Sequence, residues 1–166
     1  KSADYIKGVI GDFRPEIGLI LGSGLSGFAD SIETSVIISY KEIPNFLVST
    51  APSHKGELIF GTLEGTKLVC MAGRFHFYEG YSWEQLQIPV RVLALLGIRK
   101  LILTNAAGAV NENYHIGDIM IIKDHIKMTG ASPMCGPNIS EFGSRFFDAS
   151  NMYDKDLQAL ALECGK

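Results

Sequence analysis

The residues best suited to chemistry lie together in Gly73-Arg74-Phe75-His76-Phe77-Tyr78-Glu79-Gly80-Tyr81, directly after a strand-like apolar run. In extended chain, side chains alternate with period two, so Arg74, His76 and Tyr78 are expected on one side. A guanidinium supplies a planar fork for phosphate, an imidazole adds a second polar contact, and a phenol can hydrogen-bond a sugar hydroxyl. Any one of these residues alone is most simply a solvated strand end. Three in phase favour a surface that binds an anion and a hydroxyl-bearing group.

Two further segments could complete such a site. Gly22-Ser23-Gly24-Leu25-Ser26-Gly27 and Asn105-Ala106-Ala107-Gly108 each follow a short apolar run and consist largely of small residues. In an open α/β sheet, ligands bind beyond the carboxyl ends of the strands, and small side chains let the backbone approach them. Ser23 adds a hydroxyl at the tip of the first segment. His54, in the loop Pro52-Ser53-His54-Lys55-Gly56, offers a second imidazole that could close over an anion. Gly22, Gly24 and Gly27 also spell the dinucleotide fingerprint, with Glu42 about 20 residues on. Only residues 22–35 separate the two candidate strands, and a hairpin follows where a dinucleotide fold places another crossover. A tight turn or an anion-binding exit is therefore the better reading.

Other chemistries find no matching pattern. His54, His76, His115 and His125 form no H-E-x-x-H, and the three cysteines are widely separated, so no metal site is expected. A nucleophile elbow, a Walker loop and a paired-carboxylate site also lack their signatures. Fifteen Lys and Arg against eighteen Asp and Glu give a net charge of −3, which argues against nucleic acid as a partner. The most apolar stretch, residues 88–110, is broken by Arg91, Arg99 and Lys100, so no membrane span is expected. The sparse cysteines and the absence of a signal-like apolar segment point to a cytoplasmic address.

These candidates need strands and helices to hold them. Tyr5, Ile6, Val9, Ile10 and Phe13 have helical spacing, ended by Pro15. Residues 17–21, 36–38, 58–63, 67–72, 100–104 and 119–122 read as strands, with Glu64-Gly65-Thr66 marking a hairpin. Ser82 with Gln85 predicts a capping box, opening a helix that Gly97 stops. Residues 129–151 read as a loop and 153–164 as a final helix. The expectation is one α/β domain over 1–166 with a central mixed, mostly buried sheet flanked by helices.

Four motifs in order, Leu21-Gly22-Ser23-Gly24-Leu25, Ser53-His54-Lys55-Gly56, Gly73 to Tyr81 and Thr104-Asn105-Ala106-Ala107-Gly108, resemble purine nucleoside phosphorylases of the trimeric type. Gly136-Pro137-Asn138 and Phe142-Gly143-Ser144-Arg145-Phe146 fit the same pattern. The resemblance implies a phosphorylase-like fold, incomplete at its C-terminal end, and the N-terminal part of a longer phosphorylase domain. It implies reversible phosphorolysis of purine ribonucleosides or deoxyribonucleosides to free base and pentose 1-phosphate. Inorganic phosphate is then a co-substrate, with no cofactor. By matching position, Ser23, His54, Arg74, Phe75, His76 and Ala106 would bind phosphate. Tyr78, Ala106, Ala107, Gly108 and Phe146 would bind the nucleoside, and His76 and Tyr78 would be catalytic. Phe146 would reach the neighbouring subunit of a homotrimer. Ser53 and Lys55 depart from the residues that usually flank the histidine in this family. Alternatives are a methylthioadenosine phosphorylase, a phosphate-binding fragment without turnover and, from another class, a dinucleotide binder.

Overall fold

The computed structural model describes residues 1–48, 55–130 and 132–166. Its contacts cluster in two compact units, Lys1–Ala107 and Gly108–Lys166. The first unit carries helix α1 (Ser2–Ile10) and strands β1 (Ile17–Ile20), β2 (Glu33–Ser39), β3 (Glu57–Leu63) and β4 (Thr66–Ala72). Helices α2 (Trp83–Leu86) and α3 (Ile88–Leu95) and strand β5 (Lys100–Leu103) follow.

The sheet has the order β2-β3-β4-β1-β5. β2, β3 and β4 form an antiparallel meander, whereas β1 pairs in parallel with both β4 and β5. The mixed sheet anticipated from sequence is therefore present. The β3–β4 turn needs only two residues because Glu64 and Gly65 both take positive φ, at 47° and 75°. That twist matches the flanking strands of a two-residue hairpin.

β4 is buried on both faces, whereas the edge strands β2 and β5 stay largely exposed, with Ile102 and Leu103 of β5 open where the apolar sequence suggested a buried strand. Val69 and Met71 belong to the cluster containing Ile6 and Ile10 of α1 and Val92 and Leu93 of α3. The intervening Leu68, Cys70 and Ala72 join Leu19, Ala29, Ile32 and Ile59 on the opposite face. Complete burial pushes the Cys70 thiol up to about 12, since the thiolate would lie in an apolar layer.

The Ser82 capping box forms as expected: Gln85 N–H donates to Ser82 Oγ at 3.3 Å, and Ser82 N–H donates to Gln85 Oε1 at 2.8 Å. The single helix predicted behind it is instead two, because Pro89 sits at the start of α3. Proline lacks an N–H and suits a first helical turn rather than an interior. Gly97 stops α3 with φ 93°, and Ile98 N–H returns to the Leu93 carbonyl at 3.3 Å.

In the second unit, helix α4 (Lys155–Cys164) is capped by Asp154, whose Oδ1 accepts from Leu157 N–H at 2.9 Å. One 3₁₀ turn, Ser140–Phe142, interrupts the loop expected over 129–151. The strand expected at 119–122 is not formed. Its apolar sequence satisfies the side-chain pattern, but a strand also requires a ladder partner, and none of the described strands pairs with it. No helix among the described residues is long and apolar enough to cross a membrane.

Candidate active site

Because β4, β1 and β5 run parallel, their carboxyl ends emerge at one edge of the sheet. Those ends lead into Arg74, Gly22 and Asn105 respectively. The two small-residue segments and the Arg–His–Tyr segment are thereby adjacent, as the ligand-binding rule for open sheets requires.

The exits of β1 and β5 touch. A Cβ on Gly22 would lie 2.4 Å from the Thr104 carbonyl oxygen and 2.7 Å from Asn105 Cα, so only glycine fits. Gly22 N–H donates to Thr104 Oγ1 at 2.8 Å, and Thr104 Oγ1 donates to the Ile20 carbonyl at 3.1 Å. Ser23 follows in an exposed turn in which Gly24 takes φ 87°. A short 3₁₀ segment, Ser26–Ser31, comes next rather than the α-helix of a dinucleotide site. A Cβ on Gly27 would meet nothing within 4 Å, so this residue lacks the close packing that the fingerprint's third glycine serves.

Arg74 crosses to these exits. Its Nη1 donates to the Thr104 carbonyl at 2.7 Å, and its Nε donates to His76 Nε2 at 3.2 Å. Two donors on separate partners fix the plane of the guanidinium. Arginine can only donate, so His76 Nε2 accepts and the imidazole hydrogen resides on Nδ1. That Nδ1–H meets Glu79 Oε1 at 2.8 Å, and the same oxygen accepts the His76 backbone N–H at 2.9 Å. The Glu79 side chain is only 1% exposed, which keeps water from competing for these bonds.

Tyr78 joins the group by a route that differs from the expectation. β4 ends at Ala72, and Phe77–Glu79 wind into a 3₁₀ turn closed by Gly80 at φ 91°. The period-two argument therefore fails beyond His76, because Glu79 caps the His76 backbone and turns the chain. Tyr78 nevertheless meets His76 by stacking, with ring centroids 4.7 Å apart and an interplanar angle of 17°. The residue remains 77% exposed.

Phe75 faces the other way. Its ring packs against Tyr40, Phe46 and Tyr81 at centroid distances of 5.1, 6.0 and 6.2 Å. Its side chain thus anchors the segment rather than meeting an anion, and a phosphate role would fall to its backbone. Buried Tyr40 donates to the Gly73 carbonyl at 2.6 Å, immediately before Arg74. Burial drives its phenol above the ordinary tyrosine range.

His54 lies outside the described residues. Lys55 beside it pairs with Asp30 at 2.9 Å, which raises the ammonium above its usual range. Ala106 and Ala107 are exposed in the first unit, and the Ala106 carbonyl accepts from Asn105 Nδ2 at 3.2 Å. Gly108 and Phe146 belong to the second unit, where Phe146 is exposed. An apolar hollow of about 420 Å³ also lies in the first unit, with Leu21, Leu25, Phe28, Leu68, Ile102 and Thr104 in its lining. Two residues of the polar cluster carry no role in the sequence reading: Glu79 and Thr104. The three-residue step from His76 to Glu79 is capping-box spacing and could have revealed the first. Thr104 had no local signal, since the partners of its hydroxyl lie 82 and 84 positions away and Arg74 lies 30 away.

Comparison with known proteins gives a concordant picture. The sequence pattern of the Phosphorylase superfamily matches residues 16–166. Purine nucleoside phosphorylase 1 of Bacillus subtilis is 52% identical over 166 residues, spanning all of this chain and 61% of the relative. Purine nucleoside phosphorylase of Mus musculus is 46% identical over 158 residues, spanning 93% of this chain and 55% of the relative. Among solved structures, isoform 2 of purine nucleoside phosphorylase from Schistosoma mansoni, in complex with cytosine and ribose-1-phosphate, superposes with a TM-score of 0.90 at 47% identity. The match covers 98% of this chain and 57% of that one. The chain thus spans a little over half the length of these relatives.

Proposed function

The chain belongs to the phosphorylase superfamily, and on that premise we propose that it forms the phosphate side of a purine nucleoside phosphorylase. The observation that carries this reading is the Arg74 guanidinium, held between the Thr104 carbonyl and His76 at the common edge of three parallel strands. An oriented guanidinium beside small-residue strand exits suits a phosphate dianion. The ribose-1-phosphate bound in the similar Schistosoma mansoni structure supports the same chemical class.

The reaction joins a phosphate oxygen to the anomeric carbon and breaks the bond from that carbon to the purine. The departing base keeps the electron pair. Positive charge grows on the sugar as the bond lengthens, and the nearby phosphate stabilises that charge before bonding. Arg74 orients phosphate with its guanidinium steadied by His76, aided by Ser23, His54 and the backbone at Phe75 and Ala106. Tyr78 contacts the ribose alongside Ala106 and Ala107. Positioning and fixed dipoles lower the barrier, with phosphate as co-substrate. The same reading gives the full-length protein a homotrimeric state, with Phe146 at the neighbouring sugar pocket, and a cytoplasmic address.

The relatives named above are purine nucleoside phosphorylases, which favours that substrate class over methylthioadenosine. The test is release of hypoxanthine from inosine by the full-length protein, with and without phosphate, beside methylthioadenosine in parallel. Phosphate-dependent cleavage of inosine is expected. Cleavage independent of phosphate, or of methylthioadenosine alone, would overturn the reading.

A further inference from the structure

We propose that Thr104 is the positioning residue of the phosphate site, acting through Arg74 and Gly22 rather than by touching substrate. The proposal rests on the phosphate-site reading above and extends it to a residue outside the candidate contact set.

Thr104 ties three chain segments together. Its backbone N–H donates to the Ile20 carbonyl at 3.1 Å, continuing the β1–β5 pairing one residue past β5. Its hydroxyl has one hydrogen to give and lone pairs to receive. The hydrogen goes to the same Ile20 carbonyl at 3.1 Å, so a lone pair faces Gly22 N–H at 2.8 Å. Its own carbonyl receives Arg74 Nη1 at 2.7 Å. One half-buried residue therefore sets the gap between the two small-residue exits and the reach of the guanidinium across them.

The geometry leaves little slack for a substitute. Gly22 is buried, and its backbone passes so close to Thr104 that even a methyl group would collide. Without the hydroxyl, the buried Gly22 N–H loses its acceptor and the exits must separate or admit water. Either adjustment moves the Thr104 carbonyl, and Arg74 follows. A site that must hold an anion within a fraction of an ångström is sensitive to such a shift.

The experiment compares Thr104→Val, which keeps the shape and removes the hydroxyl, with Thr104→Ser, which keeps the hydroxyl. Inorganic phosphate is titrated into the full-length protein by calorimetry, and KM for phosphate and for inosine are measured separately. All are read well below the midpoint of thermal unfolding. Thr104→Val is expected to weaken phosphate about tenfold or more and to raise phosphate KM more than inosine KM. Thr104→Ser is expected to stay within about threefold of the parent. Folded Thr104→Val with phosphate affinity within twofold of the parent would overturn the proposal. So would Thr104→Ser weakened as severely as a variant lacking the hydroxyl. If Thr104→Val does not fold, Thr104→Ala replaces it, and the serine variant alone still decides by its distance from the parent. A parent protein that fails to bind phosphate defeats the underlying functional reading, an outcome separate from a parent that binds and a valine variant that binds equally well.

Discussion

Tyr78 and Glu79 are neighbours in sequence with opposite environments, and that contrast predicts opposite mutational behaviour. The exposed Tyr78 ring leans on His76 from the solvent side, whereas the Glu79 carboxylate is enclosed beneath it. Removing Tyr78 therefore deprives the fold of little buried surface, so a kinetic effect there reports contact with ligand. A neutral hydrogen bond contributes about 0.5–1.5 kcal/mol, so Tyr78→Phe should raise inosine KM roughly two- to tenfold. Phosphate KM should stay near the parent value, and steady-state kinetics with each substrate varied in turn will show the split. Glu79 acts on His76 at two atoms. Glu79→Ala removes the acceptor for both the ring Nδ1–H and the backbone N–H, with hydrogen bonds to a charged group each contributing about 1.5–3 kcal/mol. A loss of about tenfold or more in kcat/KM for phosphate is expected, measured by coupled base release, together with a lower thermal midpoint.

At the scale of elements, the glycines of the first strand exit separate two accounts of the same letters. Gly22 faces the Thr104 backbone at a distance no Cβ tolerates, whereas Gly27 opens onto free space. Overpacking a site of this kind costs about 1–3 kcal/mol, so Gly22→Ala should lower the thermal midpoint by several degrees and Gly27→Ala should leave it almost unchanged. A dinucleotide-binding turn would require both glycines; differential scanning fluorimetry on the pair distinguishes the cases. The elements also show what could be read in advance. The two-residue turn at Glu64-Gly65, the Ser82–Gln85 capping box and the Gly97 stop are local, and each was legible because its partners lie within a few residues. Pairing was not. The apolar run at 119–122 has a strand's side-chain pattern without a ladder, and the break at Pro89 depends on where a helix turn begins. Arg74, His76 and Tyr78 converge as expected, but through a capped turn instead of an extended strand.

At the scale of the whole molecule, the proposed function rests on one feature of topology. A meander delivers β4 beside β1, and β5 returns on the other side of β1 in the same direction. Three carboxyl ends then share an edge, and residues from positions 22, 74 and 104 meet there by direct hydrogen bonds. Neither the composition nor the net charge of −3 announces anion binding, so the proposed phosphate site rests on one oriented guanidinium at the strand edge rather than on a basic surface. The account stands on whether that edge binds phosphate through Arg74. Calorimetric titration of inorganic phosphate into the full-length protein and its Arg74→Ala variant tests this directly. Loss of one charge-assisted contact, about 1.5–3 kcal/mol, predicts affinity weakened by roughly ten- to a hundredfold in the variant. A folded variant that binds phosphate within twofold of the parent would contradict the account.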